Sequence, residues 1–188
     1  LHKTAKRLSE TISKYVTVST YEITALIPEF LFYVRMAEYV ESLRAKGFAF
    51  CKASLREADR RSVSAEGIYN LKLTGLKAEE VTGNDLEMDD RRRLYLLTGA
   101  NRGGKTTYTQ AVGAAYLMAQ NGVYVPAVKF EFSPVDYIGT HFPADENKTM
   151  DLGRLGEEAE RFRELYRNST SNSILLLNES FSTTSFEE

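Results

Sequence analysis

The sequence predicts an α/β fold: a sheet flanked by helices and preceded by a separate helical segment. Three observations carry this. Short apolar runs alternate with stretches of helical spacing from residue 48 to residue 177, the alternation expected of a sheet with some parallel pairing. One run, Ile174-Leu175-Leu176-Leu177, is wholly apolar, as in a strand covered on both faces. The pattern G-x-x-x-x-G-K-[ST] stands at Gly99-Ala100-Asn101-Arg102-Gly103-Gly104-Lys105-Thr106, between the apolar run Leu94-Tyr95-Leu96-Leu97 and a helix-like stretch. Strand, loop and helix in that order form the setting of a phosphate-binding loop (Walker A), so the fold class is that of a P-loop NTPase.

Taken in order, residues 1–18 read as helix, with few breakers and mixed charge. A second helix follows over residues 21–46, where from Phe30 onward the apolar residues recur at three- and four-residue steps. Pro28 is expected near its start and Gly47 at its stop. Phe30, Phe32, Tyr33 and Tyr39 are expected to pack in a helix interface. Residues 1–50 thus form a helical segment and residues 51–188 the α/β domain. Strands are expected at residues 48–52 and 68–73, with the charged stretch 53–66 as loop and Gly83-Asn84-Asp85 as a turn. Residues 94–98 are expected as the strand feeding the phosphate loop. A helix then runs from Lys105 to about Gln120 and breaks at Asn121-Gly122. Strands follow at 128–132 and 135–140, split by Ser133-Pro134. A polar loop over 141–150 leads to a helix over 152–166, with Glu157 and Arg161 at pairing distance, and then to the apolar run 174–177.

Length and composition limit the function classes. A chain of 188 residues holds one ordinary domain, or a small domain with an appendage. The net charge of −2 gives no global basic field, so a nucleic-acid partner needs a local patch or a region outside this chain. The single Cys51 excludes an internal disulfide framework and a cysteine-based zinc site. It is expected as a small core residue, and it fits a reducing compartment, so the expected location is cytoplasmic. No apolar run reaches membrane-spanning length, and no membrane partner is expected. The start at Leu1 and the stop at Glu188, inside what reads as a motif, suggest a piece of a longer protein.

The loop residues define the chemistry. Glycines let successive backbone N–H groups turn toward phosphate oxygens, and the following helix N-terminus adds partial positive charge. Lys105 is expected to reach the β- and γ-phosphates, and the Thr106 hydroxyl to bind Mg²⁺. The ligand is therefore a nucleoside triphosphate, expected as ATP with Mg²⁺. After the run 174–177 come Asn178 and Glu179. In P-loop NTPases a second apolar strand ends in an acidic residue near Mg²⁺, and in several branches a glutamate next to it polarises water. Glu179 stands where that base would stand, and Asn178 where the aspartate would. An Asn oxygen can face the ion but brings no charge, so weaker Mg²⁺ binding or slower hydrolysis is expected. Ser182-Thr183-Thr184-Ser185 before Phe186-Glu187-Glu188 reads as a helix start, either a plain cap or an anion-binding end.

With these residues in view, the chain resembles the ATPase domain of the MutS family of DNA mismatch-repair proteins. Thr98-Gly99-Ala100-Asn101-Arg102-Gly103-Gly104-Lys105-Thr106-Thr107-Tyr108 is similar to that family's T-G-x-N-x-G-G-K-[ST]-T-Y. Gly122-Val123-Tyr124-Val125-Pro126-Ala127, Leu177-Asn178-Glu179 and Thr184-Ser185 are similar as well, as are Asn84 and the approach through Arg92-Arg93. The likeness covers about residues 67–188. It implies an ATPase related to the nucleotide domains of ABC transporters, working as a homodimer with two composite sites and coupled to DNA gripped elsewhere in the protein. It implies that residues 1–50 are the end of the helical core linking the ATPase to the DNA clamp. By position, Gly99 to Thr107 would hold the nucleotide, with Lys105 and Thr106 on phosphate and Mg²⁺, Asn101 toward the γ-phosphate and Asn178 near the metal. Glu179 would be the catalytic base. Val81 and Thr82 would lie at adenine, and Ser185 would face the partner's nucleotide.

Three departures from the family pattern stand out. The Walker B aspartate is Asn178, the glycines of the loop that acts across the dimer are replaced by Phe181 and Thr183, and the chain stops before the dimer-completing helices. Alone, the chain is expected to hydrolyse ATP poorly. The alternatives are a nucleotide-binding conformational module with little turnover, which Asn178 favours, and another ABC-type ATPase. Against the latter, the sequence has no LSGGQ-like signature.

Overall fold

The computed structural model describes residues 2–100, 102–142 and 154–178, and the chain divides into two units, Leu1–Ser42 and Leu43–Glu188. The first unit holds helix α1 (His2–Ala25) and most of helix α2 (Ile27–Arg44). The two follow one another with a break at Leu26, later in the chain than the gap expected at 19–20 and close to Pro28. Pro28 has no N–H to give to the carbonyl of Thr24, so regular α-helical bonding cannot run through. Instead Leu26 N donates to Ile23 O at 3.2 Å, and Phe30 N resumes the ladder to Leu26 O at 3.0 Å. Phe30, Phe32, Tyr33 and Tyr39 are exposed, contrary to the expected packing. Among the described residues this unit holds two successive helices, and these side chains find no core within it. Phe32 and Tyr33 meet each other edge to face at 5.3 Å.

The second unit is mixed α/β. Its larger sheet has strand order β1-β4-β2-β3, from β1 (Ser54–Leu55), β2 (Val63–Ile68), β3 (Asn84–Met88) and β4 (Lys129–Phe132). β1 runs parallel to β4, while β2 is antiparallel to both β3 and β4. A second sheet pairs β5 (Ile138–His141) with β6 (Ile174–Leu177) in parallel, with Ile138 opposite Ile174 and His141 opposite Leu177. Helix α3 (Lys105–Gln120) packs against both β2 and β6, and helix α4 (Arg154–Asn168) against β5. The core gathers Val63, Ala65, Ile68, Phe130 and Phe132 from the larger sheet with Ala111, Val112, Ala115 and Tyr116 from α3. The Tyr116 ring stands edge-on to Phe130 at 5.6 Å and to Phe132 at 5.8 Å. This burial pushes the Tyr116 hydroxyl well above the ordinary tyrosine value.

Several expected elements are corrected. Residues 53–66 are not a loop: β1 and most of β2 fall there. Val63 and Ala65 point inward while Ser64 and Glu66 face outward, so a two-residue alternation was hidden among charges. The strand expected at 68–73 ends at Ile68, and a 3₁₀ turn, Leu71–Gly75, takes its place. The turn expected at Gly83-Asn84-Asp85 is the start of β3. Of the strand expected at 48–52 only a single bridge from Cys51 to Val125 forms. Cys51 itself is half-buried, not a core residue, and partial burial raises its thiol pKa.

Residues 94–98 join no strand. Leu94 and Leu96 are 90% and 84% exposed, and the Tyr95 hydroxyl donates to Glu87 O on β3. Apolar sequence alone does not make a strand. A ladder partner is needed, and among the described residues none lies alongside. No helix among the described residues is long and apolar enough to cross a membrane.

Candidate functional site

The start of α3 and the end of β6 meet at one point. The Thr106 hydroxyl donates to Asn178 Oδ1 at 2.8 Å. Two local features bring them together. Asn178 N donates to His141 O at 2.9 Å, which carries the β5–β6 ladder one residue past the strand and fixes the Asn178 backbone. On α3, Gly113 faces β6 so closely that an added Cβ would stand 2.5 Å from Leu176 Cδ1. Gly113 lies two helical turns from Thr106, on the same face. Its missing side chain lets the helix approach the strand.

The loop before α3 is sharply bent. Gly104 caps the helix in the left-handed region at φ 83°, where a side chain would be strained. Arg102 also has a positive φ, 65°, an uncommon conformation for a residue with a Cβ. Gly103 N donates to Ala100 O at 3.1 Å, closing a tight turn. The Lys105 ammonium lies inside this turn, donating at 2.8 Å to both Gly99 O and Ala100 O. Its charge is therefore held against the loop's backbone carbonyls. Thr107 follows on the first turn of α3.

Further contacts tie the loop to the larger sheet. Tyr108 Oη donates to Asp85 O at 2.8 Å, and with the Tyr95 hydroxyl on Glu87 O it occupies alternate carbonyls of β3, the edge strand. Burial, with the nearby Tyr95 and Asp85, raises the Tyr108 pKa. Asn70 Nδ2 donates to Thr107 O at 3.0 Å. Neither Asn70 nor Gly113 was recognisable in the sequence: Asn70 fell inside the strand expected at 68–73, and nothing in the helix-like stretch marked Gly113.

Beside the loop a groove of about 500 Å³ opens between residues 94–97 and β6, walled by Leu86, Val112 and Leu176, with Lys105 and Asn178 at its end. Its walls are mostly apolar, with Lys105 and Asn178 among the polar lining residues.

Of the expected site residues, the structure brings together Gly99, Ala100, Arg102, Gly103, Gly104, Lys105, Thr106, Thr107 and Asn178. Asn101 and Glu179 lie outside the described residues, as does Ser185. Val81 and Thr82 stand just before β3, and no hydrogen bond among the described residues links them to the loop. Among the described residues no three His, Cys, Asp or Glu side chains gather as a metal cluster. A metal here would rest on Thr106, Asn178 and the ligand's own oxygens.

Known proteins resemble this chain over much of its length. The family model for MutS domain V matches residues 95–188, half of the chain. The DNA mismatch repair protein MutS of Chlorobium phaeovibrioides is 30% identical over 176 residues, covering 92% of this chain and 20% of that protein. That of Chlorobium phaeobacteroides is 33% identical over 135 residues, covering 72% of this chain and 16% of the relative. That of Chlorobium limicola is 35% identical over 101 residues, 54% of this chain and 12% of the relative. The chain thus spans about a fifth or less of the length of these curated relatives. With the family model running across the loop, α3 and β6, the chain belongs to the MutS family.

Proposed function

We propose that this chain is the nucleotide-binding part of a MutS-type ATPase. It binds ATP with Mg²⁺ on residues 99–107 and couples binding and hydrolysis to DNA binding in mismatch repair or a related DNA transaction. The observation that carries this reading is the hydrogen bond of 2.8 Å between Thr106 of the glycine-rich loop and Asn178 at the end of an apolar strand. Two sequence motifs 72 residues apart converge on one point, as a triphosphate site requires. The relatives' description as DNA mismatch repair proteins supports the DNA part.

The backbone N–H groups of the loop and the N-terminus of α3 receive the phosphates. Lys105 exchanges two carbonyl partners for phosphate oxygens, a stronger, charge-assisted pairing. Thr106 and Asn178 offer two hard, neutral oxygens side by side. That donor set fits Mg²⁺, which keeps several waters and takes its remaining ligands from phosphate. Bound there, the ion supplies neutralisation of phosphate charge. By sequence position, Glu179 is the general base, Asn101 lies toward the γ-phosphate, and Val81 and Thr82 flank the base. DNA contacts belong to regions largely outside this chain, and the ATPase domains act as a homodimer.

A second reading is a nucleotide-operated conformational module with little turnover, favoured by the uncharged Asn178 at the metal side of the site. ATP titration and phosphate release, both in the full-length protein, separate the two. Binding with turnover supports the ATPase, binding without turnover supports the module, and absence of binding removes both.

A further inference from the structure

We propose that Asn70 is a positioning residue for the phosphate loop: its carboxamide clamps the first turn of α3 and so fixes where Lys105 and Thr106 stand. The proposal rests on the nucleotide-binding reading above and adds to it a residue far from the motif in sequence.

Asn70 is 6% exposed, and both ends of its amide are engaged. Oδ1 accepts from Lys72 N at 3.0 Å and caps the 3₁₀ turn Leu71–Gly75. Nδ2 donates to Thr107 O at 3.0 Å and approaches Gln110 Oε1 at 3.5 Å. Gln110 in turn accepts from Lys72 Nζ at 3.3 Å. The helix does not need the bond to Thr107 to complete its own ladder, because a carbonyl has a second lone pair. What the bond adds is a fixed distance between α3 and the end of β2.

The anchor on the other side is firm. Tyr69, the preceding residue, is buried. Its N–H donates to Pro126 O at 3.1 Å and its hydroxyl to Ala49 O at 3.0 Å, and its ring packs on Phe48 and Phe50. The clamp therefore runs from the core to the helix turn that bears the phosphate-binding side chains. Thr107 directly follows Thr106. A small displacement of this turn shifts the Lys105 ammonium and the Thr106 hydroxyl together, and positional errors of about 1 Å in such groups cost on the order of a hundredfold in function.

Asn70→Asp separates the two halves of the contact. The carboxylate still accepts from Lys72 N, so the turn keeps its cap, but it cannot donate to Thr107 O. Asn70→Ser, a second variant, keeps a short acceptor for Lys72 and no longer reaches Thr107. The control is Val63→Ala, a buried truncation in β2 that lowers stability without touching α3's first turn. In the full-length protein, MgATP affinity is measured beside the melting temperature. Both Asn70 variants are expected to weaken MgATP binding at least about tenfold, while the control holds its affinity within about twofold at a comparable loss of melting temperature. The clamp is overturned if either Asn70 variant, folded by its melting transition, binds as wild type does, or if affinity falls equally in the control. Wild type that binds no MgATP removes the nucleotide reading and the clamp with it, whereas binding by wild type with unchanged variants removes the clamp alone.

Discussion

Thr106 and Asn178 share a hydrogen bond of 2.8 Å that joins the first turn of α3 to the end of β6. Deeper in the same helix, Thr109 turns its hydroxyl back to Lys105 O at 3.0 Å, the usual habit of a helical threonine. Thr106 stands too close to the helix start to have a full turn behind it, so its hydroxyl reaches across to the strand. The pair is neutral, and that neutrality can be tested.

Restoring charge by Asn178→Asp is expected to lower the Mg²⁺ concentration needed for nucleotide binding, because a carboxylate attracts a divalent ion where an amide only solvates it. The same charge repels phosphate, so the gain appears only with Mg²⁺ present. A Mg²⁺ titration of nucleotide binding in the full-length protein checks this. A variant that needs as much Mg²⁺ as wild type, or more, would place Asn178 away from the ion.

Gly113 sets how closely α3 lies on β6. Gly113→Ala is expected to be nearly neutral, since the one atom it meets is a terminal methyl of Leu176, which must shift, and alanine favours helix by about 1 kcal/mol over glycine, which offsets that shift. Gly113→Val adds branches that Leu176 cannot evade and should destabilise by about 1–3 kcal/mol. It should also weaken nucleotide binding by parting Thr106 from Asn178. Urea denaturation of the two variants is the check, and equal stability would mean that the helix has room to spare.

Tyr116 predicts an alkaline limb in stability. Burial raises its pKa in the folded chain, so the unfolded chain loses this proton first, near pH 10. The contribution is complete below the unfolded value and is lost as pH rises toward the folded one, at up to about 1.4 kcal/mol per pH unit. Tyr116→Phe keeps the ring contacts with Phe130 and Phe132 and removes the titration. Denaturation midpoints compared at about pH 8 and about pH 11 should fall further for wild type than for the variant. Parallel falls would show that the hydroxyl ionises freely.

The helix bearing the loop and the strand before Asn178 were legible because each has a strong local signal: a motif with a fixed structural setting, and four successive apolar residues. β2 was not, because Val63 and Ala65 alternate with Ser64 and Glu66 inside a charged stretch. Residues 94–98 erred in the other direction, since their apolar character says nothing about whether a neighbour completes the ladder. Half of the site could be read in the same way. Thr106 and Asn178 were each expected at a metal, and their meeting depends on the close approach of α3 to β6 at Gly113. The bond from Asn70 to Thr107 spans 37 residues and follows from tertiary packing alone.

The central claim is that the loop from Gly99 to Thr107 binds a nucleoside triphosphate. Its most direct test is an ATP titration of the full-length protein and of its Lys105→Ala variant, with folding checked by melting temperature. Lys105 is the ammonium held inside the loop by Gly99 O and Ala100 O, and its loss removes a charge-assisted bond of about 1.5–3 kcal/mol. Wild type should bind ATP, and the folded variant should bind it at least about tenfold more weakly. Equal affinity in the two proteins would contradict the claim.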